Sequence, residues 1–199
     1  MLKIKSPLDI YAHPDIFLER YWIKDEVQRY IGIPFSRAYL QALGANFIFH
    51  NDFQEIAKNV FSSGEVIRNT SFEKIDKEMK IKNEKGEFVQ DQILDDYSIA
   101  IKTTKGLVII LGCAHSGIVN ILNHFIEKTG EKEIYAVLGG THLGFANEEQ
   151  INETIKFLNK YNIQKLGVSH CTGLSVSAKL FAQLKEKFFF ASVGSSLEI

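Results

Sequence analysis

The stretch GLVIILGCAHSGIVNIL, residues 106–122, changes its periodicity halfway along. Residues 107–111 form an unbroken apolar run, which suits a strand buried on both faces. After Gly117, apolar residues at Ile118, Ile121, Leu122, Phe125 and Ile126 follow helical spacing as far as Gly130, a residue type that commonly ends helices. Between strand and helix stand Cys113 and His115, among Gly112, Ala114, Ser116 and Gly117. An imidazole placed where a buried strand runs out is the feature from which both fold and site are read.

Outward from this stretch the pattern stays regular. YSIAIKT (97–103) alternates and TKG supplies a turn, so the buried strand is expected to be the second arm of a hairpin. IYAVL (134–138), KLGV (165–168) and FFFASV (188–193) read as further strands. Asn147 is expected to cap an intervening helix, with Gln150 at the capping-box position and Ile151, Ile155, Leu158 and Tyr161 as its buried stripe. Another helix is expected from about Ser175 to Lys187. Alternating strands and helices imply an α/β (α+β) layered sheet. The first hundred residues are less regular. A short helix is expected from Pro14 in HPDIFLERYW (13–22), and strands at ANFIFH (45–50) and around AKNVFSSGEVI (57–67), with a turn or bulge at Ser63-Gly64. KNEKGE (82–87) reads as a solvated hairpin tip or loop.

The 199 residues are enough for a sizeable core and are expected to form one domain, 1–199. Hydrophobic residues at 45% and charged residues at 24% match a globular protein rather than a disordered one. The net charge of -1 offers no basic field for nucleic acid or an anionic membrane, so a small-molecule substrate is the expected partner. No apolar stretch reaches the roughly 20 residues of a membrane span, and the start shows no signal peptide, so a cytoplasmic location is expected. Cys113 and Cys171 are too few for a disulfide framework and are expected to be reduced thiols.

Three histidines follow three expected strands: His115, His142 in LGGTHLG and His170 in VSHCTG. Their separations, 142 - 115 = 27 and 170 - 142 = 28, each match one strand–helix unit. In open α/β sheets the chemistry sits beyond the carboxyl ends of strands, so three imidazoles are expected at one rim. Glycine, serine and threonine surround each, leaving room for close approach, and neutral imidazole suits zinc, iron or manganese. Any one of the three, taken singly, also reads as a hydrogen-bonded loop residue. His13 reads as a turn or helix-entry residue, His50 as a strand end and His124 as part of a helix. Cys113 is expected to be a small apolar filler, while Cys171 is open between filler and ligand. Asp91, Asp95 and Asp96 in DQILDD can supply a carboxylate ligand or base, or be solvated or capping charges. GCAHSG also looks like a phosphate turn, but it lacks the GxGxxG spacing and the lysine of a P-loop.

Five stretches together resemble the metallo-β-lactamase superfamily, and within it the 7,8-dihydropterin-6-yl-methyl-4-(β-D-ribofuranosyl)aminobenzene 5'-phosphate synthase-like branch. They are IYAHPDIFLERY (10–21), SSGEVIRNTSFEK (62–74), residues 91–122, IYAVLGGTHLG (134–144) and VSHCTG (168–173). The resemblance implies an αβ/βα sandwich of two mixed sheets with helices outside. It also implies a divalent metal, zinc with iron or manganese as alternatives, in a usually dinuclear site at one edge. His115 would bind the first metal and His170 the second, with His142 where many relatives have a bridging Asp. Arg68 and Glu65 would face the substrate entrance, and the substrate would be small, phosphorylated or pterin-like. No catalytic residue is assigned. The superfamily's HxHxDH signature occurs nowhere in these residues, so the chain looks like the family protein without its amino-terminal part. A homo-oligomer or an amino-terminal partner fragment is expected accordingly. The activity expected by descent is metal-dependent hydrolase or transferase chemistry. Two alternatives are a non-catalytic remnant or half of a split protein, and a metal-free small-molecule-binding α/β module.

Overall fold

The computed structural model describes residues 7–199. In chain order the first strands are β1 (Leu8–Ala12), β2 (Arg20–Lys24), β3 (Val27–Tyr30), β4 (Ala45–Phe49), β5 (Gln54–Ala57), β6 (Val60–Ser62), β7 (Met79–Lys82) and β8 (Phe88–Gln90). They are followed by β9 (Ser98–Thr103), β10 (Gly106–Leu111), β11 (Ile134–Gly140), β12 (Lys165–Ser169) and β13 (Phe188–Phe190). The α-helices are α1 (Arg37–Ala42), α2 (Ile118–Thr129), α3 (Glu148–Lys160) and α4 (Leu174–Leu184). Two compact units emerge, one running to Asn51 and resuming over Ile75–Asp95, the other made of Asp52–Lys74 with Asp96–Ile199.

The second unit contains a seven-stranded mixed sheet in the order β13-β12-β11-β10-β9-β6-β5. β10, β11, β12 and β13 are parallel, joined by α2, α3 and α4, because a parallel connection needs a long crossover. The β9–β10 hairpin is antiparallel, with Gly106 opposite Thr103. β10 is buried on both faces as expected, apart from Ile110, which is 39% exposed. Leu107, Ile109, Ile118, Ile121, Leu122 and Phe125 are fully buried in one core that also takes Ile151 and Leu158 from α3. Burying Phe- or Leu-sized side chains stabilises by about 1.5–3 kcal/mol each.

In the first unit, β3-β2-β7-β8 form a four-stranded antiparallel sheet, and β1 pairs β4 in parallel. The mixed sheet of the second unit matches the expected α/β class. A second mixed sheet does not appear among the described residues, whose remaining strands divide between these two smaller sheets. Two local expectations also change. Pro14 starts only a single 3-10 turn, Pro14–Phe17, capped by His13, whose Nδ1 accepts from Asp15 N at 3.0 Å. Arg20–Lys24 then pairs on both sides as a strand, which its aromatic and β-branched Tyr21, Trp22 and Ile23 favour. The β5–β6 turn falls at Lys58-Asn59 rather than Ser63-Gly64, because Asn59 tolerates its left-handed φ of 61°. Ser63 instead closes the end of β6, its amide donating to the Ser98 carbonyl at 2.9 Å. The Asn83–Glu87 tip joins β7 to β8 as expected, with the Asn83 side chain accepting from Lys85 N and Glu87 N.

Candidate metal centre

All of the candidate residues but the acidic group before β9 belong wholly to the second unit, and the sheet register explains their meeting. Leu111 pairs with Gly139, and Gly139 with Val168, so the carboxyl ends of β10, β11 and β12 stand side by side. His115, His142 and His170 follow within a few residues of that row. Their loops depart abruptly from extended geometry. Ala114 and His142 have φ of 58° and 54°, in the left-handed region that costs a non-glycine residue roughly 1–2 kcal/mol. Such strain persists only where the surroundings over-determine it, and it concentrates at functional sites.

Three interactions hold the loops. Asp96, just before β9, accepts from Ser116 N at 2.7 Å and so braces the His115 loop. Arg68 Nη2 donates to the His115 carbonyl at 3.4 Å, which puts a fixed cation beside the same loop. Buried Thr141 and Thr172 join hydroxyls at 2.9 Å, tying the β11 loop to the β12 loop. Glu73, buried to 4% exposure, accepts from Val119 N and Asn120 N at 2.8 Å each and caps α2. Burial pushes its carboxyl up, while the two amides, Thr70 and Arg68 favour the charged form.

The His115 and His142 rings lie 4.2 Å apart between centroids, tilted at 48°. Cys113, His115 and His142 each offer a donor atom, all within 4.8 Å of one another. A second set, Cys113, His170 and Cys171, meets the same criterion. The structure therefore does not place the three histidines in one three-histidine cluster; it divides them between two groups that share Cys113. Cys113, expected as a small apolar filler, is a half-buried thiol with its sulfur 3.7 Å from His142 Nδ1. That contact was not legible in the sequence, because small-residue surroundings fit a packed thiol equally well. Cys171 receives the His142 amide at 3.1 Å and a hydrogen bond from the Cys113 thiol. The Cys113 hydrogen bond holds Cys171 at about 4, well below the usual thiol range, and the same contact pushes Cys113 up.

Chemically the donor set fits a zinc-like ion, combining borderline imidazole with soft sulfur. Space fits as well. A Cβ on Gly140 would lie 2.3 Å from His170 Cε1 and 2.8 Å from Cys171 Sγ, so only glycine leaves room for both. Ser169 Oγ engages His170 Nδ1 at 3.1 Å, leaving Nε2 for a metal. Asp91 and Asp95 are committed elsewhere, in ion pairs with Arg20 inside the first unit. Asp91 and Asp96 are buried rather than solvated. His124 sits in α2 and donates from Nε2 to the Ser63 carbonyl at 2.9 Å, and His50 directly follows β4, both as expected. Glu65 lies in the irregular segment after β6, three residues before Arg68.

Over 98% of this chain and 72% of the other, the fold superposes with a TM-score of 0.84 on a solved metal-dependent hydrolase of the β-lactamase superfamily, at 25% identity. The chain belongs to the metallo-β-lactamase superfamily. Its sequence is 33% identical over 194 residues to the 7,8-dihydropterin-6-methyl-4-(β-D-ribofuranosyl)-aminobenzene-5'-phosphate synthase of Methanocaldococcus jannaschii, covering 94% of this chain and 65% of the synthase. It is also 30% identical over 192 residues to an uncharacterized protein of the same organism, covering 96% and 68% respectively. The chain thus spans about two thirds of the length of these relatives. No protein-family model matches it. Among the described residues no helix is long and apolar enough to cross a membrane.

Proposed function

We propose that this chain carries the metal-binding rim of a cytoplasmic hydrolase or transferase acting on a small phosphorylated or pterin-like molecule. In this reading His115, His142 and His170 are metal ligands and zinc is the metal. The observation that carries it is the alignment of three parallel strand ends, which brings His115 within ring contact of His142. Bound zinc supplies Lewis acidity and lowers the pKa of coordinated water towards neutrality.

The chain's own residues do the remaining work. Asp96 and the Thr141–Thr172 pair fix the loops so that the imidazoles are held in place before a ligand arrives. Arg68, beside the His115 loop, supplies the positive charge that a phosphate needs, with Glu65 nearby in sequence. A cavity of about 510 Å³ adjoins His170 and is lined by Ser169, Leu174, Ser177, Phe190 and Val193 among others. That volume suits a small molecule. In the superfamily the HxHxDH motif supplies further ligands, and these residues contain no such motif, so an amino-terminal partner fragment that carries it would complete a dinuclear site.

The test is elemental mass spectrometry of the purified 199-residue chain beside its His115→Ala/His142→Ala/His170→Ala variant. Near-stoichiometric zinc in the chain and its loss in the variant are expected, followed by assays of phosphodiester, lactone and thioester hydrolysis. Metal no higher in the chain than in the variant would overturn the reading.

A further inference from the structure

Two thiols and three imidazoles converge at this rim, and the histidine reading leaves the thiols without a task. Cys113 is common to both donor groups. Bonds of about 2.3 Å to sulfur and about 2.0 Å to nitrogen, at a tetrahedral angle, set ligand atoms roughly 3.5 Å apart. The observed Cys113 Sγ to His142 Nδ1 separation is 3.7 Å, so the pair already spans one edge of such a site. On the other side, the His142 amide donates to Cys171 Sγ at 3.1 Å, the kind of outer hydrogen bond that steadies a metal thiolate. Both cysteines are free and half-buried, accessible to an ion yet partly shielded from water. Gly140 leaves the space in which His170 and Cys171 lie side by side.

We propose that Cys113 and Cys171 bind the metal as thiolates, with Cys113 shared between the His115–His142 group and the His170–Cys171 group. The rim is then a mixed sulfur–nitrogen centre that selects a soft or borderline ion such as zinc over magnesium or manganese, which prefer oxygen donors. On binding, any proton still on either sulfur passes to solvent, and no oxidant or reductant is involved. This inference rests on the metal-binding reading above, but its failure can be told apart from the failure of that reading.

Cobalt(II) is the probe, titrated into the reduced, metal-free 199-residue chain and followed by absorption. The expected result is visible ligand-field bands together with a near-ultraviolet sulfur-to-cobalt charge-transfer band. Cys113→Ser and Cys171→Ser should each remove about half of that band, and the double variant all of it, because only thiolates give this transition. Bound cobalt should also slow alkylation of both thiols by iodoacetamide. Ligand-field bands without the charge-transfer band in the unaltered chain would overturn the thiolate assignment and leave the histidine reading standing. No cobalt uptake would overturn both. The unaltered chain decides between these results even if a variant fails to fold.

Discussion

Gly140 has no side chain, and two neighbours use the room. The His170 ring and the Cys171 sulfur lie where an alanine methyl would be, at 2.3 and 2.8 Å from the position a Cβ would take. His170 is exposed, so Gly140→Ala should be accommodated by rotation of that ring rather than by unfolding. The expected outcome is a retained fold with metal binding weakened about 10–100-fold, the range seen when support for a ligand is lost. Isothermal titration with zinc checks this, and unchanged affinity would contradict the placement of His170. At the same scale, the three strand-end histidines were legible from their spacing alone. The contact of Cys113 with His142 was not, because the two lie 29 residues apart and only the sheet register brings them together.

At the scale of elements, α2 depends on a carboxylate from a distant segment. Gly117 precedes the helix with φ of 96° and makes no side-chain cap, so Glu73 satisfies the first amides instead. Glu73→Ala leaves two buried donors unpaired and should cost about 2–3 kcal/mol. Glu73→Gln keeps one acceptor and should cost less. Urea unfolding of both variants measures the difference, and a loss below about 0.5 kcal/mol for alanine would contradict the cap. The bounds of α2 were legible because Gly117 and Gly130 punctuate them. Its cap was not, since 46 residues separate Glu73 from Val119. The segment from Arg20 illustrates the opposite error: five residues fit either period, and pairing with β3 and β7 selected the strand.

At the scale of the whole molecule, His124 links folding to pH. Burial lowers its pKa below the ordinary 6.5, against the opposing effect of the Ser63 carbonyl. The folded chain therefore takes up this proton less readily than the unfolded one. Stability associated with neutral His124 is complete above the unfolded value and declines as the pH falls through the interval below it. His124→Gln, which retains an amide donor for Ser63, should show a smaller loss of stability between about pH 7 and pH 5. Denaturant midpoints across that range test it, and parallel pH profiles for the two proteins would contradict it.

From the sequence alone came the order of strands and helices from Tyr97 onward, the α/β class and the three histidines at strand ends. These are consequences of local periodicity, glycine punctuation and spacing, which short segments carry by themselves. Only the tertiary structure decided which potential donors lie together, because Cys113, His115, His142, His170 and Cys171 are gathered through the parallel register of β10, β11 and β12. It also decided that Asp91 and Asp95 serve Arg20, that Asp96 braces the His115 loop, and that Glu73 caps α2. Each of those roles depends on a partner distant in sequence, and a polar group acquires its task only when folding removes water and supplies that partner.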